Sequence, residues 1–152
     1  MVREENTIVK IKLKNGFIFS SELNHEQVKQ LVIDETIEKE GRARGPDAAE
    51  LLGLAILSCL SASFLFCLQK KNLTVDDLET TAEISFKKNE KGYVRVKAID
   101  VKLIPKSTDP SVLRRIEQCK REVKSGHMFF EETCIITSSV REGIKVTVDM
   151  GS

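Results

Sequence analysis

Between Glu50 and Lys70 the chain carries no charged residue, although 31% of its residues are charged. The run Leu51 to Leu68 reads LLGLAILSCLSASFLFCL. As a helix these residues span about 27 Å, slightly short of a hydrocarbon layer of ~30 Å. Ser58, Ser61, Ser63 and Gly53 dilute its apolar character, and the flanking chain alternates in the manner of half-buried strands. The pattern therefore predicts a central helix buried on every side of a soluble domain, not a membrane span. One small sheet and one further helix leave part of such a helix bare. A second copy of the chain is the simplest cover, so a homodimer is expected. The start of the helix is marked by Pro46 and by Asp47 to Glu50, a capping-box arrangement. Lys70, Lys71 and Asn72 suit its end, as cations near the negative pole and a residue able to take the left-handed cap.

The other elements follow from periodicity. Thr7–Leu13 alternates, Lys14-Asn15-Gly16 signals a turn, and Phe17–Ser20 resumes an extended pattern, together a β-hairpin. Val28–Ile33 reads as another strand, with a short helix from Asn24 as the alternative, and Lys39–Gly45 as a loop. Leu78–Lys88 and Tyr93–Ile104 form a second hairpin around Asn89-Glu90-Lys91-Gly92. In the returning strand the apolar residues change parity, from Val94 and Val96 to Ile99, Val101 and Leu103, which predicts a β-bulge near Lys97–Ala98. Asp109-Pro110 opens a second helix with the stripe Val112, Leu113, Ile116, Cys119 and Val123, ending at Gly126. Ile144, Val146 and Val148 alternate in an expected last strand. Hairpins around two helices imply an α+β fold with a mainly antiparallel sheet.

A length of 152 residues suits a single domain over 1–152, and 24 basic against 23 acidic residues exclude recognition of nucleic acid or anionic membrane by bulk charge. No apolar secretory stretch follows Met1, and four cysteines are too few for a disulfide scaffold, so cytoplasmic, reduced thiols are expected. His25 and His127 stand apart from any cluster with metal-ligand spacing, and no metal is expected. No phosphate loop, dinucleotide fingerprint or serine elbow is present.

The cysteines divide. Cys67, among Phe64, Phe66 and Leu68, and Cys119, on the stripe of the second helix, read as packing residues. Cys59 faces Ala55, Ile56, Ala62 and Ser63, small neighbours that suit either an inert buried thiol or a sulfur that a substrate can reach. Cys134 lies at the entrance of the expected last hairpin, within reach of another element. Two thiols that meet can carry redox chemistry, one attacking an oxidant and the other attacking the resulting sulfenic acid.

Gly45-Pro46-Asp47-Ala48-Ala49-Glu50-Leu51-Leu52 with Ala55-Ile56-Leu57-Ser58-Cys59 resembles the helix signature of the OsmC/Ohr family, the osmotically inducible protein C and organic hydroperoxide resistance proteins. Glu132 to Val140 followed by Gly143-Ile144-Lys145-Val146 resembles that family's second cysteine motif. The resemblance implies an OsmC-like fold, antiparallel sheets wrapped around long central helices in an intertwined homodimer. It implies a thiol peroxidase, active against hydroperoxides in stress response, with Cys59 peroxidatic and Cys134 resolving. It implies no bound cofactor, the disulfide being reduced by an external dithiol, typically lipoyl-linked. In organic hydroperoxide reductases a hairpin Arg and a Glu early in the helix assist. Glu50 matches that Glu, but the first hairpin turn has no Arg, and Arg42 and Arg44 are substitutes by composition only. On an ideal helix Glu50 falls about 13.5 Å along the axis from Cys59 and on the far side, so it caps its own helix, or it reaches the site because the loop folds back or the helix is kinked. The alternative function is a non-catalytic dimer that binds an apolar ligand between its helices.

Overall fold

The computed structural model describes residues 6–10, 12–23, 25–37 and 41–151. Ile11 of the expected first strand, Asn24, and Lys39 and Glu40 of the expected loop lie outside the described residues. The chain divides into two compact units, Met1–Leu52 and Gly53–Ser152.

The first unit is a three-stranded antiparallel sheet, β1 (Lys12–Asn15), β2 (Ile18–Glu22) and β3 (Gln30–Asp34), in the order β1-β2-β3. The first strand is shorter than its alternation suggested. β2 has five residues, and its ladder to β1 begins at the Lys12–Ser20 pair. Upstream, Ile8 and Val9 stay exposed, as does Leu13 within the strand. Past β3, buried Asp34 organises the loop that leads to the helix. Its carboxylate accepts the N–H groups of Thr36 and Arg44, both at 3.0 Å, while its own N–H donates to the Pro46 carbonyl at 3.1 Å. Gly45 lies so close to β3 that a Cβ there would sit 1.9 Å from the Val32 carbonyl oxygen, a separation only glycine permits. The capping box forms: the Asp47 carboxylate accepts the Glu50 N–H at 2.9 Å, and the Glu50 carboxylate accepts the Asp47 N–H at 3.4 Å.

Helix α1 runs from Ala48 to Gln69 and is long and apolar enough, by length and composition, to cross a membrane. Within the second unit one side of it packs on protein, while Leu54, Leu65 and Phe66 stay exposed, so the single chain does not bury the helix on every side. Gly53 meets the Ile84 side chain, and Ser61 bonds Thr80 at 3.3 Å, both across the two-stranded ribbon of β4 (Asp77–Lys88) and β5 (Val94–Lys106). Phe64 packs edge-on to Phe130, with ring centroids 5.5 Å apart. Asn72 takes the left-handed conformation at φ 56°, and the Leu73 N–H closes the helix end on the Leu68 carbonyl at 3.2 Å. In the ribbon Ser85 pairs with Ala98 and Phe86 with Val96, which leaves Lys97 as the extra residue of a bulge where the parity change placed it.

Helix α2 (Pro110–Cys119) begins as expected, with the Asp109 carboxylate accepting the Ser111 N–H at 2.8 Å. It stops seven residues before Gly126. The chain folds back there: Phe129 N–H donates to the Arg121 carbonyl and Val123 N–H to the His127 carbonyl, both at 2.7 Å, around Gly126 at φ 82°. Val123 thus continued the helical spacing without being helical. A short 3-10 helix, Phe129–Thr133, leads into α3 (Ile135–Glu142). Here the expected hairpin is absent. Ile135–Glu142 is helical, and residues 143–151 form no strand, with Ile144, Val146 and Val148 exposed. An alternating segment needs a sheet edge, and none among the described residues pairs with it.

The core of the second unit gathers Ile56, Leu60, Phe64, Leu68, Val112, Ile116 and Phe130. Each such side chain fully buried stabilises the fold by about 1.5–3 kcal/mol. The packing thiols need correction: Cys67 and Cys119 are joined in a disulfide, with Cα atoms 6.1 Å apart and a sequence separation of 52. Helix phase on each element placed both sulfurs inward, and the packing of α2 on α1 brings them together. Arg115 reinforces this junction, its Nε donating to the Cys67 carbonyl at 2.9 Å.

Candidate functional site

Two cysteines remain free, half-buried Cys59 on α1 and fully buried Cys134. They lie 75 positions apart in sequence, yet their side chains are within hydrogen-bonding reach of one another. Cys134 is the N-cap of α3, not the entrance of a hairpin. Its sulfur accepts the Thr137 N–H at 3.4 Å and stands 3.0 Å from the Thr137 hydroxyl. A sulfur here fills the place of the usual capping oxygen, satisfying one of the N–H groups left free in a first helical turn. The preceding residue of that turn addresses the other cysteine: the Ile136 N–H points at Cys59 Sγ at 3.5 Å. One helical turn thus offers a donor to each sulfur.

The turn is held in place from outside. Arg141 pairs with Glu131 at 2.6 Å, and the Ser138 hydroxyl donates to the Glu131 carbonyl at 3.4 Å, tying α3 to the 3-10 helix before it. The Cys134 N–H also donates to the Glu131 carbonyl, at 3.1 Å.

Burial pushes the Cys134 thiol above its ordinary range, the hydrogen bonds from Thr137 oppose that, and the neighbouring Cys59 adds to the rise. At neutral pH Cys134 is therefore a protonated thiol.

The remaining sequence candidates, Glu50, Arg42 and Arg44, belong to the first unit. Glu50 is exposed, and its carboxylate serves the capping box. Arg42 and Arg44 are exposed residues of the loop after β3, where the Arg44 N–H is bound by Asp34. Among the described residues of the second unit, no Arg or Lys hydrogen-bonds either sulfur. Among the described residues no cluster of three or more His, Cys, Asp or Glu side chains could hold a metal. Thr137 and Ile136 were missed by the sequence reading. Their signal is Cys-x-x-Thr at a helix start, visible only once the segment is read as helix.

The sequence profile described as OsmC-like protein matches residues 40–149, which contain both free cysteines. The chain belongs to the OsmC-like family. Solved structures agree on the fold. An OsmC-like protein from Mycoplasma pneumoniae aligns with a TM-score of 0.65 at 14% identity, over 91% of this chain and 89% of that one. An OsmC-like protein of unknown function from Vibrio cholerae aligns with 0.64 at 16% identity, over 90% and 94%. The organic hydroperoxide resistance protein OhrB of Bacillus subtilis aligns with 0.59 at 14% identity, over 89% and 91%. A search of curated protein sequences finds no match. The mixed α+β architecture with antiparallel sheets is therefore that of OsmC-like proteins.

Proposed function

We propose that this OsmC-like chain is a thiol peroxidase that reduces organic hydroperoxides through Cys59 and Cys134. The observation that carries the reading is the meeting of two free cysteines with unequal exposure, half-buried Cys59 and buried Cys134. The accessible sulfur suits attack on a substrate, and the sheltered thiol suits a reserve that reacts only with its neighbour. Cys59, as thiolate, attacks the outer peroxide oxygen; the O–O bond breaks, an alcohol leaves with one proton, and Cys59 becomes a sulfenic acid. Cys134 then attacks that sulfur, and water leaves as the disulfide forms. An external dithiol, lipoyl-linked in this reading, returns both cysteines to thiols. The setting is cytoplasmic, which cell fractionation would test.

One equivalent of an alkyl hydroperoxide is expected to convert the wild-type chain to a Cys59–Cys134 disulfide, seen by peptide mass spectrometry, and dihydrolipoamide should reverse it. Peroxide that leaves both cysteines reduced would overturn the reading. That result would favour a dimer that binds an apolar ligand.

The peroxidase is proposed to act as a homodimer in solution, outside the membrane. Leu54, Leu65 and Phe66 of α1, Phe86, Val94 and Val96 of the ribbon, and the alternating Ile144, Val146 and Val148 are all exposed on the single chain. So much apolar surface is unusual for a monomer. Light scattering behind size-exclusion chromatography, without detergent, should return twice the chain mass, and a monomer would contradict it.

A further inference from the structure

Two sulfurs carry the proposed redox steps, and a polar side chain is bound to the second of them. The Thr137 hydroxyl lies 3.0 Å from Cys134 Sγ, and the Thr137 N–H lies 3.4 Å from the same sulfur. Both Thr137 and Cys134 are buried, so bulk water does not compete for these bonds. A hydroxyl is donor and acceptor at once. Toward the resting thiol it accepts the S–H; toward a thiolate it turns and donates its own hydrogen. The N–H donates in either state.

We propose that Thr137 is a catalytic residue of the resolving step, its hydroxyl and N–H together holding the Cys134 thiolate as it attacks the Cys59 sulfenic acid. The proposal rests on the peroxidase reading given above. In that step the bond between the two sulfurs forms and the S–O bond of the sulfenic acid breaks. The S–O electron pair departs on oxygen, and the hydroxide takes up the proton lost by Cys134 and leaves as water. The sulfenic sulfur is reduced, the Cys134 sulfur is oxidised, and no outside oxidant or reductant enters. The same two donors receive Cys134 when a dithiol attacks the disulfide at Cys59 and expels Cys134 as thiolate.

The need for such donors follows from the position of Cys134. Its sulfur has no access to solvent, and the donors that the second unit directs at it are the hydroxyl and N–H of Thr137, so a negative charge there draws on these two dipoles. The ionisable group that acts on it is Cys59, which is a neutral sulfenic acid when Cys134 must ionise. Ile136, whose N–H is directed at Cys59, serves the other sulfur, and the Thr137 side chain is specific to the resolving one.

The test uses Thr137→Val, which keeps the volume and the N–H, and Thr137→Ser, which restores the hydroxyl. In a Cys59→Ser background Cys134 is the one titrating cysteine, because Cys67 and Cys119 are bonded to each other. Thiolate absorbance near the far-ultraviolet edge then reads its titration. Thr137→Val should move the midpoint up by about one pH unit, and Thr137→Ser should leave it in place. With both cysteines present, Thr137→Val should slow disulfide formation about tenfold and let dimedone trap the Cys59 sulfenic acid. Loss of the Cys59 thiol should keep its wild-type rate, and Thr137→Ser should resolve as wild type does. Thermal melting verifies that each variant is folded. An unshifted midpoint in a chain that does form the disulfide overturns the role of Thr137 alone. A wild-type chain that forms no disulfide overturns the peroxidase reading and the resolving step with it. Equal slowing of both steps also rejects the assignment.

Discussion

Cys59→Ser is expected to abolish hydroperoxide consumption, and Cys134→Ser to leave one turnover and then stop it. The two outcomes differ because the two sulfurs enter at different points. Removing a nucleophile that makes the first bond typically costs at least about a thousandfold, since no neighbouring group can replace it. Serine keeps the shape of Cys59 but offers a hydroxyl that stays protonated at neutral pH. Cys134→Ser retains the attacking sulfur, so one equivalent of peroxide per chain should disappear in a burst. The Cys59 sulfenic acid should then persist until a small-molecule thiol or dimedone reaches it. That adduct should be absent from wild type, where buried Cys134 is a near neighbour of Cys59. A ferrous-ion assay of residual peroxide with mass spectrometry of the trapped protein checks both results. Equal consumption by wild type and Cys59→Ser would remove Cys59 from the chemistry, whatever the family.

The sequence spoke most clearly where one local rule acted alone. The Asp47–Glu50 capping box, the left-handed Asn72 and the bulge at Lys97 each follow from a few adjacent residues, and each is found. It failed where local preference and tertiary packing disagree. Ile135-Ile136-Thr137-Ser138-Ser139 is rich in β-branched and poor helix-forming residues, which argues for a strand. The chain makes it helical by capping it with Cys134 and bracing it through Arg141 and Glu131. The catalytic thiol candidates were legible through resemblance, but Thr137 could not be, because its relation to Cys134 exists only in a helix. Val123 shows the converse. Correct helical spacing does not extend a helix past the point where the backbone turns back, here through the pairing of Glu122 with Met128.

The disulfide between Cys67 and Cys119 was equally invisible, since no spacing rule connects residues 52 apart. It nonetheless predicts a large effect. Closing a loop of that size removes enough freedom from the unfolded chain to stabilise the native state by about 4 kcal/mol in the entropy model, and measured losses are commonly 2–4 kcal/mol. Cys67→Ala with Cys119→Ala should therefore lower the melting temperature by roughly 10 °C at this chain length. Both sulfurs are inaccessible, so a dithiol that recycles Cys59 and Cys134 should not open this bond in the native protein. Wild type without reductant should accordingly yield two titratable thiols in denaturant, and the same count after native treatment with dihydrolipoamide. Initial peroxide consumption by the double variant at 25 °C should stay within about threefold of wild type, because Cys67 lies about two helical turns beyond Cys59 and touches neither reacting sulfur. An unchanged melting temperature, or four titratable thiols in the untreated protein, would show that the pair is not closed in solution. A loss of activity as large as that of Cys59→Ser, in a variant still folded, would instead mean that the junction of α1 and α2 holds the reacting helix in register.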